Sequence, residues 1–142
     1  MLAHQRLEIS HGILPLHSGH LLTPGATLDS KDTLGKQVLA AISDDGEESW
    51  DQHAVIFEDP QGKLGYLEQK LASLDSNRLL ATCWAVTLGD VVDQEDSFVL
   101  SENQGLTWSE PRTTGISGQT MTPIPLRGDR LMVRYNQRYG QQ

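Results

Sequence analysis

One carboxylate in the sequence has neighbours that could assist acid–base chemistry. Glu68 lies in the segment Tyr66-Leu67-Glu68-Gln69-Lys70, and in a β-strand the side chains of residues 66, 68 and 70 would share one face. This arrangement has two interpretations. It is typical of a solvated, salt-bridged strand face, and it also suits a pocket carboxylate whose pKa is raised or that accepts a hydrogen bond from the tyrosine.

Other residues could bind a ligand that carries hydroxyl or carboxylate groups. Arg134, Asn136 and Arg138 lie close together near residue 140, and their side chains could hydrogen-bond sugar hydroxyls or a carboxylate. The alternative is an exposed basic edge. Trp84 could stack on a sugar face, although tryptophan also packs into cores because of its large apolar area.

The sequence predicts no metal ion and no cofactor. Its five histidines form no ligand motif, and neither a phosphate-binding loop nor a dinucleotide fingerprint is present. The acidic run at residues 44–48 could hold Ca²⁺ loosely, but a solvated acidic turn is the simpler interpretation. Cys83, the only cysteine, is predicted to be a small buried hydrophobe.

Composition narrows the class of partner. The chain has 142 residues and a formal net charge of −8, which argues against nucleic acid and anionic membrane surfaces. It has no apolar run of about 18 residues, so we expect no membrane span. Its N-terminus has no features of a signal peptide, which leaves the compartment open with the cytoplasm as the default.

Two turn motifs set out the architecture. Ser101–Trp108 follows an apolar run at residues 98–100; Gly105 can adopt a positive φ, and Ser101 and Asn103 can bond nearby amides. A looser copy, Ser43–Trp50, lies 58 residues earlier. Its glycine stands one place early, so the sequence leaves the geometry of this turn open. A constant interval predicts a repeat architecture.

A second pattern, in which two turn formers separate apolar runs, occurs three times. It lies at Leu16–Leu22, Leu74–Leu80 and Leu126–Met132, at intervals of 58 and 52 residues, and predicts hairpins. Together the patterns give four-stranded units at about 7–60 and 64–112 and an incomplete unit at 116–142, within one domain at 1–142. The competing prediction is a helix at residues 65–74, whose leucines are spaced four and three apart.

The turn motifs resemble the Asp box, S-x-D-x-G-x-T-W, of the sialidase/neuraminidase superfamily of BNR-repeat proteins, with Asn103 in the Asp place. The resemblance extends from about Leu7 across the chain. It implies an all-β fold made of the four-stranded antiparallel blades of a six-bladed sialidase-type β-propeller, with about two and a half blades present. In that family the boxes are structural, which implies a scaffold role for Ser43, Asp45, Gly46, Trp50, Ser101, Asn103, Gly105, Thr107 and Trp108.

The same resemblance implies glycosidase chemistry. Family sialidases use an Asp as acid/base, a Tyr–Glu pair and three arginines that hold the substrate carboxylate. The acid/base would be Asp29 or Asp32, in the loop before the first box strand, and the glutamate would be Glu68. Ile13 and Trp84 stand where two of the arginines would be, which argues against a sialic acid substrate because neither side chain replaces a guanidinium fork.

The sequence therefore supports two functional hypotheses. One is a sialidase-like glycoside hydrolase domain, or a fragment of one, that acts on a glycan. The other is a non-catalytic propeller module that binds carbohydrate or protein. A propeller closes with four or more blades, and bare apolar blade faces need covering. We therefore expect either a homo-oligomer or missing blades that belong to a longer chain.

Overall fold

A computed structural model describes residues 6–137, and this part of the chain consists of β-strands and connecting loops. The strands are β1 (Leu7–Glu8), β2 (Leu14–Pro15), β3 (Leu21–Thr27), β4 (Gln37–Ser43), β5 (Asp51–Glu58), β6 (Leu64–Ser73), β7 (Leu79–Thr87), β8 (Ser97–Ser101), β9 (Arg112–Thr113), β10 (Gln119–Pro125) and β11 (Leu131–Asn136). The predicted all-β class is confirmed, and the alternative helix at residues 65–74 is wrong. Among the described residues no helix is long and apolar enough to cross a membrane.

The strands form three antiparallel sheets. The first has the order β1-β3-β4-β5, with β2 also paired to β3; the second has the order β6-β7-β8-β9; the third is the hairpin β10-β11. Most paired strands are consecutive in sequence, so the sheets are built from short hairpin connections. The first sheet is formed from residues 7–58, the second from residues 64–113 and the third from residues 119–136.

The first arm of the hairpin that turns at residues 16–20 is divided in two. Over residues 7–16 only β1 and β2 are strands. Between them the chain turns its carbonyl groups towards β6, where the side chain of Gln69 donates to Glu8 O at 3.1 Å and Lys70 Nζ donates to Ser10 O. These carbonyl groups are therefore used in contacts between sheets.

The strand that leaves the second box is short. The box ends at Trp108, but β9 begins only at Arg112. The Leu100 N–H donates to Ser109 Oγ at 3.0 Å, so a side chain replaces one ladder bond. Pro111 has no N–H to continue the ladder.

The turn at residues 101–108 is built by its own side chains. The N–H of Gly105 donates to Ser101 Oγ at 2.8 Å, and the N–H of Thr107 donates to Asn103 Oδ1 at 2.9 Å. The indole Nε1 of Trp108 donates to the Gly105 carbonyl at 3.0 Å. Short polar side chains therefore satisfy the amides that the tight bend leaves without backbone partners.

The turn at residues 43–50 has matching bonds although its glycine is displaced. The N–H of Glu47 donates to Ser43 Oγ and the N–H of Ser49 donates to Asp45 Oδ1, both at 2.9 Å. Residues 46 and 47 have φ of 74° and 78°, and residues 104 and 105 have φ of 56° and 88°. Each turn has two successive left-handed residues, and the glycine occupies the first place in one turn and the second place in the other.

The second sheet lies between the other two. The rings of Phe57 on β5 and Tyr66 on β6 have centroids 5.2 Å apart. On the other side, the Thr82 hydroxyl of β7 donates to the Met121 carbonyl of β10 at 2.6 Å. Cys83 is fully buried, as predicted, and burial raises the pKa of its thiol. The core between the sheets is apolar and accounts for most of the stabilising burial.

The strands have two distinct ends, which we call the box end and the loop end. At the box end, the N–H of Gln104 donates to the carbonyl of Asn77, which joins a box to a hairpin turn. At the loop end, which carries the β3–β4 and β7–β8 connections, the N–H of Tyr66 donates to the Gly35 carbonyl at 2.7 Å. A Cβ at Gly35, whose φ is 64°, would lie 2.4 Å from the Tyr66 carbonyl oxygen, so this loop can approach β6 only with glycine there.

Candidate functional site

Glu68 lies in an irregular part of β6. The pairing of β6 with β7 shifts register between Leu67 and Lys70, and Glu68 adopts φ of 51°. A non-glycine residue with this backbone costs on the order of 1 kcal/mol or more. Because the left-handed residue interrupts the strand alternation, the expected common face of residues 66, 68 and 70 is not formed: Tyr66 is in the core, whereas Glu68 and Lys70 are half-buried.

Glu68 makes contacts with the sheets on both sides. Its carboxylate accepts a hydrogen bond from Thr120 Oγ1 on β10. Its backbone N–H donates to Glu8 Oε2 at 3.3 Å, which comes from the end of β1. One residue of the middle sheet is therefore held by side chains from the preceding and the following sheets.

The segment after β1 covers the free edge of β6. Besides the Glu8 contact, the N–H of Leu71 donates to His11 Nδ1 at 3.4 Å. Burial has the largest effect on Glu8 and raises its pKa. The hydrogen bond from the Glu68 amide lowers this pKa, the negative charge of Glu68 raises it, and the positive charge of Lys70 lowers it. Burial, and then the charge of Lys70, lower the pKa of His11, which keeps its ring nitrogen free to accept.

Asp96, which the sequence analysis did not single out, is a fully buried acid just before β8. Its side chain is 0% exposed, and among the described residues neither carboxylate oxygen has a hydrogen-bond partner. A Cβ added at Gly118 would lie 3.2 Å from Asp96 Oδ2 and 2.7 Å from Tyr135 Cδ2. The acid is therefore enclosed between the second sheet and the β10–β11 hairpin.

Burial has the largest effect on this acid and raises the pKa of Asp96 to about 7. The backbone amide of Gly118 faces the carboxyl group and lowers the pKa, although it does not reach hydrogen-bonding geometry. The charges of Asp93 and Glu68 raise it further. Asp96 can therefore carry a proton near neutral pH and is electrostatically linked to Glu68.

The repeat shows that the scaffold does not require an acid at this position. The residue 58 positions before Asp96 is Val38, which is fully buried in the core between the first and second sheets. An apolar side chain thus fills the equivalent site in the first unit. A carboxyl group without partners at such a site is a cost to stability, which is typical of a functional residue.

Asp29 and Asp32 lie in the exposed β3–β4 loop at the loop end. This loop reaches β6 through Gly35 and contacts the β7–β8 loop, where the N–H of Gly89 donates to the Lys31 carbonyl at 3.3 Å. Neither aspartate takes part in the hydrogen bonds that surround Glu68 among the described residues. Their catalytic role stays a prediction.

The proposed ligand-binding residues occupy related places. Trp84 is half-buried, packs against the core and donates from Nε1 to Asp93 Oδ1 at 3.0 Å. Trp84 on β7 pairs with Leu67 on β6. Asn136, 52 residues later in the chain, has the equivalent place on β11, where it pairs with Gln119 on β10. Arg134 and Asn136 are exposed on β11; Arg138 lies outside the described residues. Asn136 is near the Asp96 enclosure, since its carbonyl would be 3.3 Å from a Cβ at Gly118.

The site fixes the carboxylate of Glu68 by a hydrogen bond and contains a second acid, Asp96, that can carry a proton near neutral pH. Glu68 is half-buried, whereas Asp96 is fully buried. No group of three or more histidine, cysteine, aspartate or glutamate residues in the described range could hold a metal ion. A cleft of about 470 Å³ lies elsewhere, in the apolar gap between the second sheet and the β10–β11 hairpin, and is lined by residues such as Phe98, Leu100 and Val133.

The sequence contained few signals for Asp96. It is the last of several acidic residues at positions 89–96, and composition does not distinguish it from exposed Asp90 or Asp93. The alignment of the two units could have identified Asp96, because the interval of 58 residues aligns it with Val38, a core residue.

Comparisons with known proteins define the fold only. No protein-family model matches the sequence, and no curated protein matches it. A crystal structure of a protein of unknown function from Dyadobacter fermentans DSM 18053 is similar, with a TM-score of 0.72 and 21% sequence identity. The match covers 89% of this chain and 33% of that chain, so the present chain spans about a third of the solved protein.

Proposed function

We propose that this chain is part of a sialidase-type β-propeller that acts on a glycan at a site centred on Glu68. The support for the blades comes from three features: two meandering antiparallel sheets related by 58 residues, box turns with matching hydrogen bonds, and sheets stacked face to face. Similarity to a third of a longer solved protein is consistent with this proposal. A propeller of this type has six blades.

The observation that carries the functional proposal is the position of Glu68. It is half-buried, has a left-handed backbone and is hydrogen-bonded by Thr120 of the next sheet. A carboxylate fixed in this way can accept a proton or activate a neighbouring nucleophile. Asp29 or Asp32, on the loop that contacts the start of β6 through Gly35, would supply the acid/base.

Asp96 has a supporting role in this proposal. It is too deeply buried to touch a substrate, but its charge and that of Glu68 affect each other. When Asp96 carries its proton, the Glu68 carboxylate has one fewer negative neighbour. Asp96 is therefore a positioning residue whose proton adjusts the electrostatic potential at Glu68.

The substrate is better described as a neutral or uronic sugar than as sialic acid. Ile13 and Trp84 replace two arginines that the resemblance would require, and a carboxylate-binding fork cannot be built from them. Asn136 and Arg134, exposed on β11, offer donors for sugar hydroxyl groups.

A screen of aryl glycosides tests this function. We expect Glu68→Gln to lower the turnover by about 10²-fold or more, as removal of a proton-transfer group does, while Glu102→Gln, an exposed glutamate at the box end, leaves it unchanged. Asp32→Asn and Asp29→Asn identify which loop aspartate contributes. Turnover that does not respond to Glu68→Gln contradicts the assignment.

A second candidate is a non-catalytic carbohydrate- or protein-binding module. Trp84 favours it, because the hydrogen bond to Asp93 fixes the indole edge in a half-buried position, which suits stacking on a sugar. In this case a glycan titration should change the intrinsic fluorescence without turnover. Trp84→Phe should abolish that change and Trp50→Phe should retain it.

A further inference from the structure

A second cleft opens at the loop end, on the side of the second sheet that packs against the first sheet. Its volume is about 420 Å³, which is in the range of small-molecule sites. One wall is the β5–β6 turn at Asp59 and Pro60, and the other is formed by residues of β8 and β9 and of the segments just before them. Chain segments of the first two sheets therefore supply both walls.

Tyr66 lies at the base of this cleft. The residue is 2% exposed, and the small accessible part of its side chain opens into the cleft. Its ring packs on Phe57 and its N–H donates to the Gly35 carbonyl, but its hydroxyl group takes part in none of the hydrogen bonds among the described residues. A buried polar group without a partner costs stability, and a ligand in the cleft would supply that partner.

Ser97 supplies a second hydroxyl group to the same cleft. The residue is buried and pairs with Thr113, and both residues line the cleft. The residues 58 positions earlier are Leu39 and Val55, which pair with each other in the first sheet. The repeat therefore accommodates an apolar pair at this place, and the fold does not require the hydroxyl groups of the second unit.

The cleft is acidic. Asp59, Glu95 and Glu110 line it, and no lysine or arginine among the described residues does. Arg112 is close in sequence but lies on the other face of β9, where its guanidinium carbon is 5.4 Å from the centre of the Phe98 ring. A concave surface lined by carboxylates raises the local concentration of cations.

Asp59 contributes a fixed negative charge to one wall. Its carboxylate accepts hydrogen bonds from the N–H groups of Lys63 and Leu64 at 2.8 and 3.1 Å. Burial alone would raise the pKa of Asp59, but the hydrogen bonds from Lys63, Gln61 and Leu64 together lower it. The group is therefore ionised at neutral pH.

The spacing of the acids selects against a metal ion. No group of three or more histidine, cysteine, aspartate or glutamate residues in the described range could hold one, whereas a larger organic cation can reach carboxylates on both walls. Burial raises the pKa of Tyr66, so its hydroxyl group stays neutral and can donate or accept a hydrogen bond. A ligand with both an ammonium group and hydroxyl groups therefore fits this cleft best.

We propose that the cleft binds an amino sugar, whose ammonium group contacts the carboxylates of Glu95 and Glu110 and whose hydroxyl groups reach Tyr66 and Ser97. Hydrogen bonds between an ammonium group and a carboxylate are charge-assisted and stronger than neutral ones. The proposal goes beyond the proposed function, because the cleft is a separate binding site whose lining does not include Glu68.

Titration calorimetry with glucosamine tests the proposal, at about pH 6, where an amino group of this kind is protonated. We expect glucosamine to bind and N-acetylglucosamine, which has the same ring without the charge, to bind about tenfold more weakly or less. The amide of Nα-acetyl-lysine presents an ammonium group without a sugar ring, and it should bind more weakly than glucosamine.

Single-residue variants locate the binding. Glu95→Gln changes an exposed residue and should weaken glucosamine binding about tenfold. Tyr66→Phe keeps the ring that packs on Phe57 and removes only the hydroxyl group, so it should weaken binding about fivefold and leave the chain folded. Glu102→Gln, at an exposed glutamate of the box end, is the matched control and should bind glucosamine like the wild type.

Glu68→Gln separates this cleft from the proposed catalytic site, because the variant should retain glucosamine binding even where it lowers turnover. Far-UV circular dichroism confirms that each variant is folded. The proposal is overturned by a wild type that does not bind glucosamine, by equal binding of N-acetylglucosamine, or by tighter binding of the lysine amide. It is also overturned if Glu102→Gln or Glu68→Gln weakens binding as much as Glu95→Gln does.

Discussion

Glu68 and Thr120 are hydrogen-bonded to each other and hold the same position in consecutive repeats. They are 52 residues apart, the interval that separates the hairpin turns of their units. Both have left-handed backbones, with φ of 51° and 54°. Each lies where the strand pairing shifts register, directly after a matched pair of residues: Leu67–Trp84 in the second sheet and Gln119–Asn136 in the third. The two bulges therefore meet where the sheets stack, and bulges are common beside functional sites.

This contact predicts a measurable loss on removing the hydroxyl. Thr120→Val keeps the size and the branching of the side chain but leaves Glu68 without its donor. We expect the free energy of unfolding to fall by about 1–2 kcal/mol, measured by urea denaturation. Thr122→Val, two residues along the same strand and also half-buried, is the control. Equal effects of the two substitutions would mean that the hydrogen bond to Glu68 has no special weight.

Asp96 predicts a pH dependence of stability. Its pKa is raised to about 7 in the folded chain and is about 4 in an unfolded one. Between these values the unfolded state loses its proton and the folded state keeps it, so stability falls as pH rises from about 4 to about 7 and then levels off. Below pH 4 the group is protonated in both states and the penalty is absent.

Asp96→Asn should remove this dependence. We expect the variant to be more stable than the wild type at pH 8, by on the order of 2–4 kcal/mol, and close to it at pH 4. Urea unfolding at both pH values measures the difference. Asp90→Asn, an exposed acid of the same loop, should leave the pH profile unchanged. A wild-type profile that is flat between pH 4 and 8 would contradict the assignment.

Local patterns predicted the strands well, because alternating apolar runs and turn residues are short-range signals. The β6–β7 hairpin turns at the predicted position for this reason. The division of the first arm into β1 and β2 could not be predicted, because it results from Gln69 and Lys70, about 60 residues away, binding its carbonyl groups. Long-range hydrogen bonds of this kind leave no periodic signal.

The candidate site was predictable only in part. Glu68 was identified, but the face it was expected to share with Tyr66 was not formed, because a bulge is decided by packing between sheets. Asp96 was missed for a related reason. Its burial comes from Gly118 on a different sheet, and nothing in the acidic loop around it indicates that one member is enclosed.

The two box turns predict that asparagine can take the second polar position that aspartate occupies in the first box. Asp45 and Asn103 accept matching amide bonds, from Ser49 and Thr107. Asp45→Asn should therefore lower the melting temperature less than Asp45→Ala does, because asparagine keeps the amide bond and loses only the charge. Calorimetry measures both, with Asp44→Ala as the neighbouring exposed control. Similar losses for the asparagine and alanine variants would argue against shared turn chemistry.

The same aspartate predicts behaviour in acid. Hydrogen bonds from Ser49, and then from Ser43, lower the pKa of Asp45 to about 2. The stabilisation is therefore present above the unfolded pKa of about 4 and is lost as pH falls through about 2. Asp45→Asn cannot titrate, so the difference in melting temperature between it and the wild type should shift in its favour between pH 4 and 2. No change in that difference would contradict the prediction.

The displaced glycine of the first box predicts unequal costs for two similar substitutions. Gly105 and Gly46 both have left-handed backbones, with φ of 88° and 74°. A Cβ at Gly105 would lie 2.6 Å from Leu22 Cδ1 of the first unit, whereas a Cβ at Gly46 meets nothing within 4 Å. Gly46→Ala therefore has only a conformational cost, about 1 kcal/mol, while Gly105→Ala adds an overpacking cost for a total of about 2–4 kcal/mol. Urea denaturation of the two variants compares them directly. Equal losses would mean that the second box does not press against the first unit, and that the close packing of consecutive units at the box end is wrong.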